Sequence, residues 1–188
     1  MPSVQDDFEQ GFTLVELIVY SSLLLVVVVV VGSLFLSGLT TTDRVRTVTA
    51  ATTAGQVVAD SIETNIRNAT DFHLSVPSGT DQFLVARTAQ RDSTLTWRCV
   101  AWYYSAAESG SIYFTQSDLA ILPPTPEELA TWVRVGTGVT PVSGTAIFST
   151  NAQQLTVNFN SLAGDHPPVI IASSATSRAG ASGHLTCF

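Results

Sequence analysis

The residues with the clearest chemical potential lie near the N-terminus, where Gly11, Phe12 and Glu16 open a long apolar stretch. Glu16 is the only charged residue between Glu9 and Asp43. An ionised carboxylate within a hydrocarbon layer costs roughly 2.5–3.5 kcal/mol, even on a lenient insertion scale. Such a group needs a cationic partner or a route along the membrane edge to water. Glu16 is therefore the first candidate for a functional residue.

The remaining candidate groups carry weaker signals. Cys99 and Cys187 match neither a zinc-ligand spacing nor a C-x-x-C redox motif. They can form a disulfide if this part of the chain is exported; otherwise Cys99 is a small buried residue of a strand. His73, His166 and His184 lack metal-ligand spacing, and no nucleophile elbow or glycine-rich phosphate loop occurs. The sequence predicts a protein that is not an enzyme, with no metal and no cofactor.

Composition narrows the class of protein further. The chain has 188 residues, of which 12% are charged, and its formal net charge is −7. All eight basic residues are arginine and they form no cluster, so we predict no nucleic-acid partner. The low charge and high apolar content also exclude a disordered chain.

The elements that position Glu16 begin with an uncharged run of 23 residues, 17–39. As a helix this run spans about 34 Å, enough to cross a hydrocarbon core of ~30 Å. The valines Val26–Val31 form helices poorly in water, but in a bilayer every backbone group must be bonded internally. We therefore predict one membrane-spanning helix and exclude a wholly soluble protein.

Helical periodicity continues beyond the membrane-spanning run. Apolar and small residues recur at spacings of three and four from Val45 to Ala69, and no proline occurs from Phe12 to Val76. We predict one continuous helix from near Phe12 to about Ala69. Its second half offers this stripe to a packed domain.

From Asp71 onward the apolar period changes to two, which is typical of strands. Thr125-Pro126-Glu127-Glu128 has the form of a capping box and predicts a short helix. The predicted fold class is α+β, a long N-terminal helix packed on a mostly antiparallel β-sheet head. The predicted strands are Gln82–Arg87, Thr94–Tyr104, Ser111–Thr115, Trp132–Val135, Thr145–Ser149, Gln154–Asn160 and Val169–Ser174.

The segment Gly11-Phe12-Thr13-Leu14-Val15-Glu16, followed by the apolar run, resembles the N-terminal signal of type IV pilin-like proteins. These include pilins and the pseudopilins of type II secretion. The resemblance implies that prepilin peptidase cuts after Gly11 and that the new N-terminal amine of Phe12 is methylated. It also implies that Glu16 pairs with the Phe12 amine of an adjacent subunit, which would offset its solvation penalty and fix helix register.

The implied organisation is a leader (1–11), a transmembrane half of the helix (12–39), a soluble half (40–70) and an exported β-rich head (71–188). The resemblance implies a non-enzymatic filament subunit, more like a J-like minor pseudopilin than a major pilin. Its partners would be other subunits through the N-terminal helix, prepilin peptidase, the inner-membrane assembly platform and membrane lipid. Heads of this family often carry a disulfide near the C-terminus, which favours the Cys99–Cys187 bridge.

Two features of the sequence differ from this pattern. The leader carries three acidic residues and no basic one, whereas family leaders usually carry Lys or Arg. Arg44 and Arg46 follow the span, so the positive-inside rule favours a cytoplasmic C-terminus, while the signal favours an exported head. The alternative function is a signal-anchored exported binding domain, an adhesin or receptor, that acts without filament assembly.

Overall fold

The computed structural model describes residues 13–90, 96–107, 109–177 and 187–188. Gly11, Phe12 and His184 lie outside the described residues. The fold is α+β as predicted, with one long N-terminal helix followed by antiparallel strands. In chain order the elements are α1 (Leu14–Arg67), β1 (Ala69–Ser75), β2 (Gln82–Gln90), β3 (Thr96–Ser105), β4 (Ser111–Ser117), α2 (Pro126–Leu129), β5 (Val133–Thr137), β6 (Val139–Pro141), β7 (Phe148–Asn151), β8 (Gln154–Ala163) and β9 (His166–Thr176).

The chain divides into two compact units, residues 1–45 and 46–188, and helix α1 contributes to both. In the first unit every described residue is exposed. In the second unit one face of α1 is buried in the head. The predicted apolar stripe is confirmed from Gly55 to Ala69, whereas Val45 is 58% exposed.

The strands form two antiparallel sheets. Sheet 1 has the order β1-β2-β3-β4-β5, so each strand pairs with the next in sequence. In sheet 2, β8 pairs with β9 along nearly its whole length, and β6 and β7 pair with successive parts of β8.

Helix α1 packs against both sheets in the second unit. Gly55 lets the helix approach β9, because a Cβ atom there would lie 2.6 Å from a side-chain carbon of Ile171. A Cβ atom added at Gly136 of β5 would lie 3.1 Å from a side-chain carbon of Val58, so this strand also passes close to the helix. The Ser161 hydroxyl of β8 donates to the carbonyl of Ala51 at 2.9 Å. The main core therefore lies between the helix and the inner faces of the two sheets.

Strand β3 is buried on both faces. Val100, Trp102 and Tyr104 point into the main core, whereas Cys99 and Ala101 point to the outer face of sheet 1. That outer face has its own apolar cluster, to which Phe83, Val85, Tyr103, Ile121 and Cys187 also belong. From the sequence, only Cys99 was named as a buried residue of this strand, so the burial of its opposite face is seen only in the structure.

Two strands are absent from the sequence prediction. Strand β1 starts two residues after α1, where only Phe72 and Leu74 supply apolar alternation. Strand β6 has three residues and includes Pro141, too short a run to carry a periodic signal. The predicted strand Thr145–Ser149 is displaced toward the C-terminus, because β7 begins at Phe148.

The short helix α2 is confirmed together with its cap. The Thr125 hydroxyl accepts from the Glu128 backbone N–H, and the Glu128 carboxylate accepts from the Thr125 backbone N–H at 2.8 Å. These reciprocal bonds satisfy N–H groups that the first turn of a helix leaves unpaired.

Candidate functional site

Glu16 lies in the first turn of α1, three residues after Thr13. The backbone N–H of Glu16 donates to Oγ1 of Thr13 at 3.3 Å, and that of Leu17 donates to the Thr13 carbonyl at 3.2 Å. Thr13 thus acts as a helix cap, and the acidic side chain lies at the positive end of the helix dipole. The sequence prediction missed this cap, although the spacing Thr-x-x-Glu is a signal that could have found it.

The carboxylate of Glu16 has one further contact on the same helix. The Tyr20 hydroxyl donates to Oε1 of Glu16 at 3.4 Å, a long hydrogen bond one turn away. Within the described part of the chain, Glu16 forms no ion pair. The carboxylate is exposed and so remains accessible to a cation from another chain.

The apolar run after Glu16 is suited to a hydrocarbon environment. Helix α1 is long and apolar enough to cross a membrane, and its most apolar stretch is wholly unburied. Six hydroxyl groups within or just after this run donate to backbone carbonyls three or four residues earlier in the same helix. Because each finds a partner within its own helix, none adds an unsatisfied polar group to the apolar surface.

Cys99 and Cys187 form a disulfide, with a Cα–Cα distance of 5.5 Å. Both cysteines are almost completely buried. The bridge joins β3, the middle strand of sheet 1, to Cys187. Of the two interpretations of Cys99, the disulfide is confirmed and the free buried thiol is not.

Two further contacts hold the C-terminal dipeptide, which we call the C-terminal clasp (Cys187 and Phe188). The Ile121 backbone N–H donates to the Cys187 carbonyl at 3.0 Å. The Phe188 ring stacks on His73 of β1, with 5.3 Å between ring centroids. The clasp therefore crosses sheet 1 from β3 to β1 and covers part of its outer apolar cluster.

A polar pair lies at the edge of the same outer face. The Tyr103 hydroxyl donates to Asp81 at 2.8 Å, and the other carboxylate oxygen accepts from the Ala106 backbone N–H. Burial, together with the hydrogen bond and the negative charge of Asp81, raises the pKa of Tyr103 far above its ordinary range. The phenol remains protonated, and through Asp81 this pair ties a loop to the sheet.

The described histidines and acidic residues do not assemble a metal site. Among the residues that the structure places, no group of three or more His, Cys, Asp or Glu side chains could hold a metal ion. His73 is engaged with the clasp, and His166 begins β9. Neither histidine can share a metal with the cysteines, because the sulfur atoms of Cys99 and Cys187 are bonded to each other.

No protein-family model matches the chain, and comparisons with curated proteins and with solved structures find no match either. Function therefore has to be inferred from the residues themselves. The two local arrangements that bear on it are the N-terminal turn of α1 and the disulfide-bonded head.

Proposed function

We propose that this chain is a non-enzymatic subunit of a pilin-like filament, cut after Gly11 and assembled through the N-terminal part of α1. The observation that carries this proposal is the position of Glu16. It is one exposed carboxylate in the first turn of a helix whose next 23 residues are uncharged. In the proposed filament the Phe12 amine of a neighbouring subunit neutralises it, and the pair sets the axial register of packed helices.

The disulfide supports export of the head in this proposal. Disulfides persist in oxidising compartments and are rare where cytosolic thiols are kept reduced. A bridged Cys99–Cys187 head is therefore expected outside the cytoplasm, in agreement with the N-terminal signal. Two arginines after the span, Arg44 and Arg46, are a small charge bias against this orientation.

Replacement of Glu16 tests the assembly step separately from processing. We expect Glu16→Ala to be cut normally but to assemble poorly, since the neighbour's amine then has no counter-charge in lipid. The measurement is the processed fraction on a gel beside the yield of sheared filaments. Ser21→Ala is the matched control, because Ser21 bonds only the Ile18 carbonyl of its own helix. Normal filament yield from Glu16→Ala would contradict the proposal.

Replacement of Gly11 tests the processing step. A peptidase that needs an unobstructed, extended backbone accepts glycine at the cut because glycine adds no side chain. Gly11→Trp is therefore expected to leave the precursor uncut, and the band on a gel keeps the mobility of the full chain. Cleavage of this variant at the normal rate would exclude the proposed processing site.

A second candidate function is a membrane-anchored binding domain that acts alone. The observation in its favour is that Thr13 and Tyr20 give Glu16 partners on its own helix. Cross-linking distinguishes the two functions. Ser33→Cys, within the uncharged run, is expected to give disulfide-linked dimers in a filament, because its one free thiol can bond one neighbour, and only monomers for a lone anchor.

A further inference from the structure

An open cleft of about 390 Å³ lies on the outer side of sheet 1, beside the C-terminal clasp. Its floor is the end of β4, where Thr115 and Ser117 lie opposite Ala101 and Cys99 of β3. Its walls come from the 118–125 connection, from α2 and from Trp132. The volume lies within the range of sites that bind small molecules.

The lining combines one aromatic side chain with several hydroxyl groups. Trp132 is partly buried against the outer apolar cluster, and its ring lies 6.4 Å from that of Phe83, so its position is fixed by packing. Ser117 accepts from the Leu119 backbone N–H at 3.0 Å, which leaves its hydroxyl hydrogen available to donate. Thr131 donates to the Glu128 carbonyl at 2.7 Å, which leaves its oxygen available to accept.

Glu128 brings a carboxylate to this cleft. Its Oε2 accepts both hydrogen bonds from Thr125, whereas its Oε1 has no hydrogen bond to any described residue. The hydrogen bonds from the Thr125 backbone and side chain lower the pKa of Glu128, so the carboxylate is ionised near neutral pH. No described residue that lines the cleft is basic, which makes the cleft unsuitable for anions.

We propose that this cleft binds a neutral carbohydrate ring, stacked on Trp132 and hydrogen-bonded to Glu128, Thr115, Ser117 and Thr131. Sugar hydroxyls both donate and accept, which matches a lining that holds free acceptors and free donors. The polarised C–H face of a pyranose complements the negative face of an indole ring. The carboxylate is exposed, so its attraction for a cation is weakened by solvent, whereas its acceptor capacity is not.

The test is a titration of the full chain with glucose, galactose, mannose and N-acetylglucosamine in a micelle of a non-glycosidic detergent. Saturation-transfer NMR reports the contact, and competition gives the dissociation constant. At least one of these sugars is expected to bind at millimolar concentration. Trp132→Ala is expected to weaken that binding about tenfold, and Glu128→Gln severalfold, because glutamine keeps the helix cap but loses the charge.

Matched controls separate the cleft from the rest of the head. Glu127→Gln removes a neighbouring carboxylate that does not line the cleft, and Trp97→Phe alters an aromatic residue on β3 outside it. Both are expected to leave binding unchanged. Thr115→Val is a near-isosteric second variant in case Trp132→Ala fails to fold, and it is expected to weaken binding severalfold.

Three results would overturn the proposal. The first is no transfer signal from any of the four sugars. The second is binding that survives Trp132→Ala or Thr115→Val. The third is tighter binding of the cationic probe tetramethylammonium than of every sugar, which would assign the Trp132–Glu128 pair to a cation. The proposal is independent of filament assembly, since it concerns the head alone.

Discussion

At the scale of single residues, Gln82 joins the two sheets. Its buried side-chain amide donates to the Phe148 carbonyl at 2.9 Å and accepts from the backbone N–H groups of Ile147 and Phe148 at 2.7 and 2.9 Å. These partners lie 65 and 66 residues away in sequence. One side chain therefore satisfies three backbone hydrogen-bonding groups at the start of β7.

Gln82→Met is expected to lower the free energy of unfolding by about 3 kcal/mol, because it leaves buried backbone groups unpaired while it preserves side-chain volume. The measurement is urea denaturation of the full chain in detergent, followed by tryptophan fluorescence. Gln116→Met, at an exposed position of β4, is the matched control and should change the free energy little. A loss below about 1 kcal/mol for Gln82→Met would show that this link contributes no more than an ordinary surface contact.

Gly110 occupies a position that no other residue can fill without movement of the backbone. Its φ is +76°, and a Cβ atom there would lie 1.8 Å from the carbonyl oxygen of Val139. Gly110→Ala is expected to destabilise the head by about 3 kcal/mol or more, since both strain and a clash with backbone arise.

The matched control is Gly79→Ala. Gly79 also has a positive φ, +54°, but a Cβ atom added there would have no neighbour within 4 Å. Gly79→Ala is therefore expected to lower the free energy of unfolding only by the backbone strain of a positive φ, about 1–2 kcal/mol. The difference in melting temperature between the two variants therefore isolates the clash with Val139, and equal melting temperatures would contradict it.

At this scale, side-chain contacts between residues close in sequence could be predicted, whereas contacts between residues far apart in sequence could not. The capping box at Thr125 and Glu128 was predictable because both partners lie within three residues. The role of Gln82 was not, because its partners come from a strand that only the folded chain brings near. For Glu16, the sequence predicted a functional carboxylate but not its contacts with Thr13 and Tyr20, although both partners lie within four residues and their spacing could have indicated them.

At the scale of elements, the long helix was predicted well because an uncharged run of membrane-spanning length continues, without a proline, into an apolar stripe with spacings of three and four. Strand β6 was missed because three residues carry too few alternating positions. Strand β1 has seven residues, but it starts where the helix was predicted to end, and only Phe72 and Leu74 supply apolar alternation. The double burial of β3 was also missed, since the six residues from Cys99 to Tyr104 are all apolar or aromatic and the sequence does not show that both faces are covered.

The cap of α2 has a definite pH dependence. Hydrogen bonds from Thr125 hold the pKa of Glu128 below its ordinary value of 4.5. A depressed pKa in the folded state means that the cap contributes stability above the unfolded pKa. This contribution is lost as the pH falls through the lower folded value.

We expect the Glu128 side-chain carboxyl, followed by carbon-detected NMR, to titrate below 4.5 in the wild-type chain. In Thr125→Val its pKa should rise part of the way, because the backbone N–H of residue 125 still donates. Thr131→Val is the control, since Thr131 bonds the Glu128 carbonyl and not its carboxylate. A wild-type titration at or above 4.5 would exclude the capping interaction in solution.

At the scale of the whole molecule, the disulfide links residues 88 positions apart and so constrains the unfolded head strongly. In the chain-entropy model a closed interval of this length stabilises the folded state by up to about 4–5 kcal/mol. Cys99→Ser combined with Cys187→Ser is therefore expected to lower the free energy of unfolding by several kcal/mol. Denaturation of the oxidised wild type beside this double variant measures the loss, and equal midpoints would show that the clasp is dispensable.

The same bond allows a test of the proposed export of the head. A chain isolated from intact cells under alkylating conditions is expected to carry no free thiol if the head is exported. Full labelling of both Cys99 and Cys187 would place the head in a reducing compartment. That result would agree with the charge bias of Arg44 and Arg46, and it would contradict the proposed orientation.

In the proposed function the chain enters a filament after removal of its leader. The most direct test is the intact mass and N-terminal sequence of the protein recovered from the membranes of its own cells. The proposal predicts a chain that begins at Phe12 with a methylated amine, so that this amine is available to Glu16 of a neighbour. A recovered chain that still begins at Met1 would contradict the filament function and leave a simple membrane anchor.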